Sequence, residues 1–131
     1  MKARYGSSGL RILFVIHGFI TLAASIVLVV APSLIPGMVG IHLDPSANVL
    51  AYLLAGAEFG LAVLSFGASR VTDFRALRII VWSLIAFHGY SALELCAYAQ
   101  GANVTIIGNV VARAVIVMLF TWLSRKQAKL D

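Results

Sequence analysis

Four stretches of this chain are almost wholly apolar, and each has roughly the 20 residues that an α-helix needs to cross a bilayer. They run from about Leu10 to Ala31, Ala47 to Ala68, Arg75 to Ala99 and Asn103 to Leu123. Pro32 ends the first, because it cannot continue the hydrogen-bond ladder. The connection 32–46 holds all three prolines together with Gly37 and Gly40. Its middle, Leu34 to Ile41, is apolar yet full of helix breakers. It is expected to form a short bent segment at the membrane surface, with a shallow re-entrant loop as the alternative. Asp44-Pro45-Ser46 reads as the turn into the second span. Thr72 and Asp73 are expected N-caps for the third, and Gln100-Gly101-Ala102 a tight turn before the fourth. Short connections predict an all-α integral membrane fold, an antiparallel four-transmembrane-helix up-down bundle forming a single domain over 1–131.

Composition agrees with that pattern. Hydrophobic residues make up 61% of the 131 positions and charged ones 11%, against about 25% charged in a soluble domain. Mean hydropathy is +0.98. The formal net charge of +5 would fit nucleic acid, but its distribution excludes that partner. Lys2, Arg4 and Arg11 flank the first span, Arg70, Arg75 and Arg78 lie between the second and third, and Arg125, Lys126 and Lys129 follow the fourth. The positive-inside rule then puts both termini and the middle loop in the cytoplasm. Such residues also favour anionic lipid head groups. The single cysteine, Cys96, rules out an intramolecular disulfide and a CxxC motif. It reads as a small side chain packed in a helix. The first apolar run exceeds the usual h-region of about 7–15 residues, so it is read as a retained span and not a signal peptide.

Five ionisable side chains lie inside these spans: His17, Glu58, His88, Glu94 and Arg113. A charge in hydrocarbon costs about 2.5–3.5 kcal/mol on insertion scales, so such residues face a protein interior and mark a site. At about 1.5 Å per residue, Glu58 and Arg113 each lie roughly 15 Å from the outer end of their helices, and His88 reaches a similar level. His17 is nearer the cytoplasm and Glu94 nearer the outside. Thr105, Asn109, Arg113 and Thr121 form a polar stripe on the fourth helix, and Tyr90, Glu94 and Tyr98 one on the third. Glu58 and Ser65 share a face of the second helix. Gly56 and Gly60 make a GxxxG pair on nearly the opposite face, open to another helix or a second copy.

Arg113 needs a counter-ion because its charge is permanent. Matching depth favours Glu58 over Glu94. The ligand-binding candidates are therefore Glu58, His88, Tyr90, Glu94, Asn109 and Arg113, and the acid–base candidates are Glu58, His88 and Glu94. Against this stands a plain structural reading, an interhelical ion pair that sets helix order. For His88 that reading is a hydrogen bond to a nearby Tyr, Ser or carbonyl. His17 reads as a satisfied or snorkelling side chain. No metal site is expected, since His17, Glu58, His88 and Glu94 lack the i, i+3 or i, i+4 spacing of paired ligands. No cofactor is expected, there being no Walker loop, GxGxxG fingerprint, nucleophile elbow or haem attachment motif. His42 and Asp44 read as solvated loop residues, and Asn48 and Tyr52 as interface residues.

The stretch Leu54-Ala55-Gly56-Ala57-Glu58-Phe59-Gly60-Leu61-Ala62-Val63-Leu64-Ser65, with the proline after the first span, Arg70 and Phe74-Arg75-Ala76-Leu77-Arg78, resembles small bacterial four-span proteins of unknown function, loosely DoxX-like. The resemblance covers most of the chain through glycine and arginine spacings. It implies a four-helix bundle in the bacterial inner membrane, and some DoxX relatives are associated with membrane redox complexes. It carries over no catalytic residue. An acid at Glu58 departs from the small aliphatic residues expected there.

Three functions fit these residues. The first is a non-catalytic accessory or structural subunit of a larger membrane complex. The second is an enzyme of isomerase or cyclase type that does acid–base chemistry on a lipophilic substrate in the polar pocket. The third is a small proton-coupled transporter, which would have to be dimeric because four helices are too thin to enclose a broad aqueous path. The absence of a catalytic motif favours the first. The partners implied are the bilayer, other membrane subunits or a second copy, and a lipophilic small molecule.

Overall fold

A computed structural model describes residues 8–98 and 104–128, so the expected turn Gln100-Gly101-Ala102 lies outside the described residues. Among the described residues five α-helices follow one another: α1 (Ser8–Val30), α2 (Leu34–Met38), α3 (Asn48–Ala68), α4 (Phe74–Tyr98) and α5 (Val104–Ala128). A 3-10 turn, Pro45–Ala47, leads into α3. Four of the five (all but α2) are long and apolar enough to cross a membrane. That is compatible with a multi-pass membrane protein. No strand occurs among the described residues.

The ends of these helices follow local chemistry. Asp73 accepts the amide of Ala76 through Oδ2 at 2.9 Å, the N-cap expected for α4. Asp44 stands before Pro45 in extended backbone, and the Ala47 amide returns to its carbonyl at 2.8 Å. Proline suits this first position, where its missing N–H is no loss. The bent segment after α1 is one helical turn with a defined stop. Gly40 has φ of 81°, the Ile41 amide reaches Pro36 O at 2.9 Å, and the Gly40 amide reaches Gly37 O at 3.1 Å. This pair of bonds is a Schellman motif, and it needs the left-handed conformation that glycine adopts without a Cβ clash.

The fold divides into two compact units: residues 14–67 in one, and residues 1–13 with 68–131 in the other. In the first, α1 buries Phe14, His17, Thr21, Ser25 and Leu28, while α3 buries Ala51, Ala55, Glu58, Ala62 and Ser65. Both sets step by three and four residues, so each forms one seam along its helix. The α3 seam is mostly alanine and serine, which lets backbones approach closely. Ser25 accordingly donates to the backbone carbonyl of Ala55 at 2.9 Å. His17 meets Ser65 on the same pair of helices, so residue numbers fall along α3 as they rise along α1. Leu28, Ala51 and Ala55 form a small apolar cluster, and Ile35 and Leu43 of the connection pack against it.

In the second unit α4 packs on α5. The α4 seam is Leu77, Val81, Leu84 and His88, and α5 buries Ile106 and Phe120. Arg125 and Lys126 occupy the last turn of α5, where positive charge suits the helix dipole. Lys126 lies over the exposed Trp122 ring, 5.7 Å from its centroid. Cys96 is exposed, which corrects its reading as a packed side chain. It sits two turns beyond His88, past the end of the buried α4 seam.

Candidate functional site

The buried seams mix polar side chains with apolar ones while many large apolar residues face outward, unlike a water-soluble helix pair. Beyond its first turn the polar positions of α1 are His17, Thr21 and Ser25, spaced by four, and all three are buried. His17 is 2% exposed and shares a hydrogen bond of 2.8 Å between Nδ1 and Ser65 Oγ. Thr21 turns its hydroxyl back to the His17 carbonyl at 3.0 Å, so it closes on its own helix. Beside them the edge of the Phe66 ring occupies the space where a side chain at Gly18 would stand. Phe19 meets that ring edge-on, with centroids 5.1 Å apart.

Glu58 lies on the buried seam of α3 at 9% exposure, two turns from the fully buried Ser65. The shared face expected for these two residues is present. The opposite face carries Gly56, Gly60 and Gly67, and an added Cβ at any of them would meet nothing within 4 Å. Bare backbone is thus presented between exposed Leu53, Phe59 and Val63.

In the second unit the polar group is His88, Asn109 and Arg113. Arg113 Nε donates to Asn109 Oδ1 at 2.7 Å, one turn away on α5. Its Nη1 approaches His88 Nδ1 at 3.4 Å across to α4. Because guanidinium can only donate, the imidazole accepts at Nδ1 and carries its proton on Nε2. His88 is 5% exposed, and Phe87 meets its ring edge-on at 5.2 Å. The stripe read on the fourth helix is therefore partly assembled, with Thr105, Asn109, Arg113 and Thr121 all half-buried.

Glu94 and Tyr90 lie elsewhere. Both are exposed on the outside of α4, and the Tyr90 hydroxyl bonds to Glu94 one turn on. The 120° rotation between His88 and Glu94 around the helix explains why one turns inward and the other outward. Within its own unit Arg113 bonds to Asn109 and approaches His88; Glu58 lies in the other unit. The side chain of Tyr98 lies outside the described residues.

Sequence reasoning left His17, Thr21, Ser25 and Ser65 outside the candidate binding set. The signal was available, since His17, Thr21 and Ser25 repeat at i, i+4 as clearly as Asn109 and Arg113 do. The apolar bulk of α1 hides it. Compared with known proteins, the chain matches no family model, no curated protein and no solved structure.

Proposed function

We propose that this chain is an integral membrane protein of four spanning helices, an antiparallel bundle with both termini in the cytoplasm, acting as a non-catalytic subunit of a larger membrane complex. The single observation that carries the reading is the stripe of Gly56, Gly60 and Gly67 on the outer face of α3, open along its length. Association of helices in lipid has no hydrophobic drive and depends on close backbone approach, which small residues allow. A helix facing only lipid gains nothing from such a groove. The polar residues support the same reading, because His17, Ser25, Ser65, Asn109 and Arg113 are engaged within the chain. The resemblance to DoxX-like bundles fits a place beside other membrane subunits in a bacterial inner membrane.

The test is native mass after extraction from its own membrane with a mild detergent. The chain should migrate well above its 14.0 kDa monomer. Gly56→Leu with Gly60→Leu should return it to the monomer without altering its own unfolding. A monodisperse monomer, or an assembly indifferent to both substitutions, overturns the subunit reading.

A second reading rests on the His88–Arg113 contact. An imidazole with its proton held on Nε2 and a guanidinium at its other nitrogen suits acid–base work on a lipophilic substrate. Under it, His88→Gln abolishes turnover of that substrate while the helical spectrum is retained. Unchanged turnover in the folded variant removes it.

A further inference from the structure

We propose that the outer face of α4 is a binding site for an anionic phospholipid, with Arg75 and Arg78 on the phosphate and Ile79, Trp82 and Ala86 along an acyl chain. The proposal rests on α4 being a membrane span and is independent of the subunit reading. The face carries a groove of about 670 Å³ lined by Phe74, Arg75, Arg78, Ile79, Trp82, Ser83 and Ala86. These positions recur at helical spacing, so they form one strip.

Chemistry changes along that strip. The two arginines lie in the first turns of the span that begins at Phe74. Neither guanidinium makes a hydrogen bond or ion pair with another described residue. The nearby acid, Asp73, is occupied in capping the helix through Ala76, while Arg70 adds a further positive charge to the preceding loop. Residues three apart on a helix stand about 5–6 Å from each other, so the two cations repel unless an anion lies between them. A phosphodiester matches this, because each guanidinium offers a planar fork of donors to its oxygens.

Below the arginines the groove is apolar. Ile79 is 69% exposed and Trp82 58%, and the Ser83 hydroxyl is spent on the Ile79 carbonyl at 2.9 Å. Arg78 to Ala86 spans about 12 Å at helical rise, a length that takes much of one acyl chain. Charge at the membrane end and a continuous apolar strip beneath it are the layout of a lipid. An acidic partner helix would need its own charge at this one depth, and a bilayer supplies the phosphate everywhere.

Trp82 reports on the site directly. The chain has two tryptophans, so Trp122→Phe leaves Trp82 as the sole tryptophan, excited selectively over the tyrosines. The protein is reconstituted in phosphatidylcholine vesicles containing a small fraction of phosphatidylglycerol or phosphatidylcholine brominated in the acyl chain. Brominated phosphatidylglycerol should half-quench Trp82 at about a thirtyfold lower mole fraction, the factor expected for two basic residues. Arg75→Gln with Arg78→Gln should abolish that preference with the helical spectrum unchanged. Arg125→Gln with Lys126→Gln should leave it intact. Equal quenching by both lipids overturns the proposal, as does a preference that survives the α4 pair or is lost with the α5 pair. Absence of quenching by either lipid overturns it too, since the groove would then be covered by protein.

Discussion

Replacing Gly18 by alanine in the isolated chain tests the packing between α1 and α3 most directly. The added Cβ would lie 2.8, 2.9 and 3.0 Å from Cε1, Cδ1 and Cζ of Phe66. Ordinary contact begins at 3.4 Å, so the ring must retreat by about 0.6 Å, and three of its atoms are involved at once. Retreat also disturbs the edge-on contact with Phe19, and such pairs contribute about 0.5–1.5 kcal/mol. Overpacking of this kind costs about 1–3 kcal/mol. Alanine gains up to about 1 kcal/mol over glycine in helix propensity, which would mask part of the loss. Gly56→Ala supplies the reference, because it carries the same propensity gain and its Cβ meets nothing. Unfolding is followed by circular dichroism as sodium dodecyl sulfate is added to mixed micelles. Gly18→Ala should be about 1–3 kcal/mol less stable than Gly56→Ala. Adding Phe66→Leu to Gly18→Ala should recover about 1 kcal/mol relative to the sum of the single changes, the coupling expected of touching residues. Equal stability of the two alanine variants, or strict additivity in the double variant, would refute the close approach of Phe66 to α1.

Three further outcomes are expected. Ser65→Ala removes the partner of His17 Nδ1 and should destabilise the chain by about 0.6–2 kcal/mol, the range for buried bonds in membrane proteins; a shift in the His17 imidazole nitrogen resonances should accompany it. Gly40→Ala forces a Cβ into a left-handed φ of 81° and should cost about 1–2 kcal/mol, whereas Gly37→Ala, helical and in open space, should cost nothing and gain up to about 1 kcal/mol in the same titration. Asp73→Ala deletes the cap of α4 at a cost of about 0.5–2 kcal/mol, and amide exchange should accelerate in the first turn of that helix before anywhere else.

What the sequence determined by itself was local. Hydropathy over about 20 residues bounds the four long apolar helices, because each must satisfy its backbone internally whatever surrounds it. The cap at Asp73 and the Asp44-Pro45 entry lie within one helical turn, so spacing alone reveals them, and the same spacing puts Asn109 on the face of Arg113. The face shared by Glu58 and Ser65 follows from the same periodicity. Which polar residues turn inward was decided only by the tertiary structure. In an apolar helix the outward and inward faces are equally hydrophobic, so hydropathy carries little phase. Glu94 and His88 are both ionisable and sit on the same helix, yet one is exposed and the other buried. The partners His17–Ser65 and His88–Arg113 stand 48 and 25 residues apart, and the ring of Phe66 over Gly18 belongs to the same long-range class. Such contacts depend on the shapes of two helices at once, and a pattern along one chain cannot contain that information.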